Sequence, residues 1–162
     1  MNTMLQRHDP GGSRATFPPC HFDPALAHRP LALPVSAPLA FTAFCHDHWP
    51  VYWQFSSTAA GSPHRGGELA RAALQEVAAR WLAVLGSPSP SAAAWDLLSQ
   101  KCAARRTGPA ARLHRMLHRL EADALVLRHK MGLTRCQAAH AMGLAEADFE
   151  LLHSRAVLSI EQ

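Results

Sequence analysis

Two short apolar periods separated by a glycine, in residues 132–162, limit the fold more than any other stretch of this chain. Thr134 stands where an N-cap belongs and Gln137 follows three residues later, the pattern of a capping box. The first period turns Ala138, Ala139 and Met142 inward, and Gly143 supplies the permissive backbone that a sharp turn requires. The second places Leu144, Phe149, Leu152 and Ala156 along one stripe. A small residue at Ala139, a glycine at the turn and a large apolar residue at Phe149 suit two helices crossing steeply, a helix-turn-helix.

The rest of the chain has to be helical as well. Strand formers are few, six Val, one Ile and six Thr, set against long Ala/Leu/Arg stretches. With 162 residues and 48% hydrophobic content, the chain can bury a core in one domain or two small ones. The expected class is all-α. Residues 39–59 read as a first helix with Phe41, Phe44, His48, Tyr52 and Phe55 on one face and Pro50 as an internal kink. Residues 61–67 read as a loop, and residues 68–85 as a second helix with Leu69, Ala73, Val77, Trp81 and Leu85 inward. Ser89-Pro90 opens a third helix carrying Trp95, Leu98 and Cys102. After a break at Thr107-Gly108-Pro109, a helical stretch turns Leu113, Met116, Leu117, Leu120, Ala124, Leu127 and Met131 inward, with a second break near Leu120. Residues 1–35 are rich in Pro, Gly and His without a period and read as a mobile tail. The expected organisation is therefore a tail at 1–35, a helical domain at 36–106 and a helix-turn-helix domain at 107–162.

The formal charge of +4 is unevenly spread. Residues 101–130 hold eight Lys/Arg against two acids, so +6; residues 131–162 hold two Arg against four acids, so −2. A nucleic-acid contact is expected through the middle of the chain rather than its end. The four cysteines, Cys20, Cys45, Cys102 and Cys136, form no CxxC pair, so free thiols in a reducing cytosol are expected. No leader-like apolar core is seen in the first twenty residues, and the apolar run at 31–44 is too short and too Pro-broken to span a bilayer. The expected location is cytoplasmic, without a membrane partner.

Catalytic patterns are missing: there is no Gly-rich phosphate loop, nucleophile elbow, HExxH or acid pair suited to proton transfer. The expectation is a non-enzyme without catalytic residues or cofactors. Cys45/His46/His48 and the i, i+4 pair His114/His118 have metal-ligand spacing, but no fourth ligand is fixed, so packing or surface histidines and no metal are expected. Trp49, Trp53, Trp81 and Trp95 read as core anchors. Arg112, Arg115 and Arg119 form either a phosphate stripe or the solvated face of an amphipathic helix.

Taken in order, FCHDHWPVYWQF, LARAALQEVAARWLAVL and PSAAAWDLLSQKCAARR resemble region 2 of bacterial sigma-70 family factors of the extracytoplasmic-function type. MLHRLEADALVLRHKMGLTRCQAAHAMGLAEADFELLHSRAV resembles region 4 of the same family, through Leu117, VLRH at 126–129, the Ala139/Gly143 turn and Arg155-Ala156. The resemblance covers residues 38–160. It implies a three-helix region 2 bundle followed by the region 4 helix-turn-helix, and a transcription factor that directs core RNA polymerase to promoter DNA, with an anti-sigma factor as a further partner. On this resemblance Gln75 and Glu76 face the polymerase. Trp95, Lys101, Arg105 and Arg106 fall where the family contacts the −10 element, and Arg135, Glu150, Leu151, Ser154 and Arg155 fall on the DNA side of region 4.

The chain departs from that pattern at Ala73 and Ala78, and at Ala145, where Ser or Thr usually caps the recognition helix. Glu146, Asp148 and Glu150 either serve the helix dipole or set negative charge against DNA. Two alternatives stand beside promoter recognition: a degenerate sigma-like module that binds a protein partner, and a stand-alone helix-turn-helix regulator.

Overall fold

A computed structural model describes residues 20–23, 25, 27 and 29–162. Among them are eight α-helices and no strand: α1 (Leu39–Ala60), α2 (Pro63–Ala79), α3 (Trp81–Leu85), α4 (Pro90–Ala103), α5 (Gly108–Met116), α6 (Arg119–Leu125), α7 (Arg135–Met142) and α8 (Glu146–Ile160). A π-helical turn, Val126–Lys130, extends α6. The all-α expectation holds.

Helix α1 runs through Pro50 without interruption. Its expected face is buried, with His48, Tyr52 and Phe55 almost wholly inside. The stretch 61–67 is a helix start rather than a loop, because Ser62 accepts from the Arg65 N–H and Pro63 takes the first helical position. The glycines here serve packing. A Cβ on Gly66 would stand 2.3 Å from the Ser57 backbone nitrogen, so α2 can fold back onto α1 only where Gly66 lacks one. Arg71 lies over Trp49 and Trp53 at 5.5 and 5.6 Å from their ring centres, a cation–π contact that covers the indoles.

The expected helix 68–85 breaks at Arg80, whose N–H bonds back to Glu76 and Val77. The break rotates α3 relative to α2: Val84 is buried and Leu85 is half exposed, the reverse of the periodic reading. Trp81 is partly buried and packs edge-on against Phe41 at 5.2 Å. Helix α4 obeys its sequence signals, with Ser89 accepting from the Ala92 N–H. Trp95 sits between Tyr52 and Phe55, at ring distances of 5.9 and 4.6 Å. Full burial of an apolar side chain such as Leu98 or Phe149 stabilises by about 1.5–3 kcal/mol.

Beyond Thr107 the second break falls at Leu117–His118 rather than at Leu120. It leaves Met116, the last residue of α5, exposed, against expectation. In the π turn the Met131 N–H reaches back five residues to Val126 O at 3.0 Å. Helix α7 carries the expected capping box, with Thr134 accepting from the Gln137 N–H and Gln137 accepting from the Thr134 N–H. Gly143 then takes the left-handed conformation at φ 66°, and a Cβ there would stand 2.1 Å from Ala92 N. Ala145 caps α8 without a side-chain bond.

One buried cluster runs from Phe22 to Phe149 and draws on both sides of Thr107; a smaller one joins Leu117, Ala122, Leu125 and Ala156. Ser89 Oγ donates to Gly143 O at 2.9 Å, a direct tie between α4 and the turn of the motif. Of the expected tail, residues 1–19 lie outside the described residues. The described part is tied down: Phe22 is buried, Arg29 O accepts from Trp49 Nε1 at 2.8 Å, and Cys20 is paired with Cys136. This pairing corrects the expectation of four free thiols, and only Cys45 and Cys102 are free and buried. Sequence spacing carries no sign of the bond because its partners lie 116 residues apart.

Candidate functional site

The residues that the sequence points to for DNA and polymerase contact fall into three groups. The first is interior. Trp95 is 1% exposed and donates its indole N–H to Asp123 Oδ2 at 3.2 Å. Asp123, fully buried, also accepts from Ser99 Oγ at 2.7 Å and meets His114 Nε2 at 2.6 Å. Arg106 reaches the same carboxylate at 3.7 Å and donates to Ser99 O at 3.1 Å. Burial holds the Arg106 guanidinium below its ordinary pKa, and Asp123 works against that. Neither Trp95 nor Arg106 offers a surface on which a base or phosphate can rest; both serve the packing of α4 on α5 and α6. His114 turns to that carboxylate, whereas His118 stands at the N-cap of α6, its backbone N–H donating to Glu121 Oε2 at 3.3 Å.

The second group is at the surface of α2 and α4. Gln75 and Arg105 are exposed. Glu76 pairs with Lys101 at 2.7 Å and with Arg80, and the Lys101 hydrogen bond and charge hold its carboxyl below the usual range. Arg112 and Arg115 lie on the outward side of α5, while Arg119 pairs with Asp96.

The third group belongs to the helix-turn-helix. Glu150, Leu151, Ser154 and Arg155 lie on the exposed side of α8 as the periodicity requires. Arg135, at the start of α7, turns toward α8 and meets Glu146 at 3.1 Å and Glu150 at 3.8 Å. Leu151 and Leu158 are exposed on the same helix. The outward side of α8 is therefore acidic near its start and mixed further along, with Ser154 and Arg155 between the exposed leucines.

A further constellation escapes the sequence reading. Asp47 on α1 meets His140 Nε2 of α7 at 2.7 Å, His48 Nδ1 at 3.4 Å and His21 Nδ1 at 3.5 Å. Burial pushes the Asp47 carboxyl up, but the surrounding imidazoles outweigh it and the net direction is down. Burial lowers the pKa of His48. His48 and Asp47 are adjacent in sequence, but 93 residues separate Asp47 from His140, so spacing carries no signal of the meeting. Cys45, three residues before His48, faces the core instead, where burial pushes its thiol up to about 12.

No protein-family model, no curated protein and no solved structure matches this chain. Among the described residues, no helix is long and apolar enough to cross a membrane.

Proposed function

We propose that the chain is a sigma-like helix-turn-helix regulator that works through protein contact, with core RNA polymerase as its partner and α8 as a contacting face. The observation that carries this reading is the outward side of α8. Glu146, Asp148 and Glu150 are exposed in the first turns of α8, exposed Leu151 and Leu158 follow with Ser154 and Arg155 between them, and Arg135, on the neighbouring α7, is directed at two of those acids. A helix that enters a DNA groove needs cations against the phosphates, since these supply most non-specific affinity. A helix presenting acids around apolar residues suits a basic, apolar protein surface.

The test is capture of purified core RNA polymerase by the full chain, with the vegetative sigma factor as competitor. Binding that is competed away and weakened by Leu151→Asp and by Glu150→Lys supports the reading. Absence of binding, or binding indifferent to both substitutions, overturns it.

A second reading, promoter recognition by a sigma factor, is supported by the order of motifs in residues 38–160 and by the outward cations Arg105, Arg112 and Arg115. Under it these three, and not Trp95 or Arg106, would meet the DNA backbone. Their replacement by Ala would then weaken promoter complexes and flatten their salt dependence.

A further inference from the structure

We propose that Asp47, His48 and His140 form a binding site for a divalent transition metal of the zinc class, joining α1 and α7, with His21 of the N-terminal segment beside it. One carboxylate is approached by three imidazoles from three separate parts of the chain. The rings of His48 and His140 are also stacked, with centroids 5.3 Å apart and planes 26° apart. A ligand atom from each of Asp47, His48 and His140 lies within 4.8 Å of the other two.

The donor set has the right chemistry. Two imidazole nitrogens and one carboxylate oxygen, with a fourth position open to water or another donor, suit zinc, and also cobalt or nickel, better than magnesium or calcium, which prefer all-oxygen shells. The spacing is close to what a metal requires. Ligand bonds of about 2.0–2.1 Å in a tetrahedron set neighbouring ligand atoms roughly 3.3–3.4 Å apart. The His48 Nδ1–Asp47 Oδ2 separation, 3.4 Å, already matches, and the His140 Nε2–Asp47 Oδ2 pair at 2.7 Å must open by a fraction of an ångström.

The surroundings support the first ligands. Ser91 Oγ lies 3.2 Å from His48 Nε2 and can accept its proton, which leaves Nδ1 to the metal. For this Nδ1 must exchange its present contact with Phe44 O, at 3.0 Å, for the ion. His48 is nearly buried, whereas His21 is largely exposed and gives the ion a way in. The site would clamp α7 to α1 beside the Cys20–Cys136 bond, fixing the helix-turn-helix on the rest of the molecule by a second, metal-dependent link.

The experiment uses the full chain, chelator-stripped and kept non-reducing so that Cys20 and Cys136 stay paired, and titrated separately with cobalt and with zinc. The expected result is one saturating site per chain and a visible cobalt spectrum of tetrahedral type without the near-ultraviolet sulfur band that cysteine ligands give. Zinc should raise the melting temperature. His140→Ala and Asp47→Asn should weaken zinc binding more than the about 10–100-fold typical of losing an outer partner, a loss that Ser91→Ala should show. His118→Ala and His153→Ala should leave it unchanged. Far-ultraviolet circular dichroism establishes that each variant is folded, and His140, being partly exposed, is the substitution that least disturbs the core. Absence of saturable binding, a sulfur-to-cobalt band, or wild-type affinity in folded His140→Ala overturns the proposal.

Discussion

Trp95 on α4 donates its indole N–H to Asp123 on α6 at 3.2 Å, and this bond spans the place where the sequence breaks at Thr107. The carboxylate gathers Ser99, His114 and Arg106 around the same point. An indole that the resemblance assigns to promoter DNA is therefore an internal strut between the two halves of the chain.

Removing that carboxylate leaves buried donors without an acceptor and Arg106 without its counter-charge. Asp123→Ala should cost about 3–5 kcal/mol. Urea unfolding followed by tryptophan fluorescence would measure it, and a loss below about 1 kcal/mol would show that the network adds little beyond an ordinary hydrogen bond.

Two left-handed glycines separate backbone strain from close packing. Gly132 has φ 69° and open space where a Cβ would go, whereas Gly143 has φ 66° and Ala92 N at 2.1 Å from that position. Gly132→Ala should cost only the left-handed penalty, roughly 1–2 kcal/mol. Gly143→Ala should cost distinctly more, because α4 must also move. Thermal melts of the two variants give the comparison directly.

Helix α8 starts without a capping side chain, since Ala145 offers no acceptor to the first turn. Ala145→Ser should stabilise the protein by about 0.5–2 kcal/mol, read as a higher melting temperature. An unchanged melting temperature would mean that the turn at 143–145 is held by its packing alone.

The pairing of Cys20 with Cys136 closes a sequence separation of 116 residues. Replacing both cysteines with Ser should lower stability by about 2–4 kcal/mol, chiefly by freeing the unfolded chain. Denaturant titrations of the wild-type protein with and without reductant should show the same difference, while the double variant should not respond to reductant.

The range of each interaction decides how far it can be read from sequence. The capping box at Thr134 and Gln137, the Ser89-Pro90 helix start and the Gly143 turn are local, and each stands where its residues indicate. The helical start at Pro63 is local too, Ser62-Pro63 repeating the Ser89-Pro90 signal, whereas the break at Arg80 is decided by tertiary forces that draw Val84 into the core. Those forces override a periodic pattern read along one helix. The candidate site is harder still. Asp47 and His140 are both unremarkable in their own neighbourhoods and gain meaning only when α7 docks on α1. Trp95 and Arg106 mislead for a related reason, since an indole or a guanidinium near a helix end looks the same in sequence whether it faces solvent or a buried carboxylate.

Under the proposed function α8 meets protein and not DNA. The most direct measurement is binding of the purified chain to labelled duplex DNA over a range of salt concentrations. The expected result is no saturable complex and no log–log salt slope attributable to α8, so that Arg155→Ala changes nothing. A steep negative slope that falls by about one unit in Arg155→Ala would place that residue on a phosphate and make α8 a DNA-binding helix.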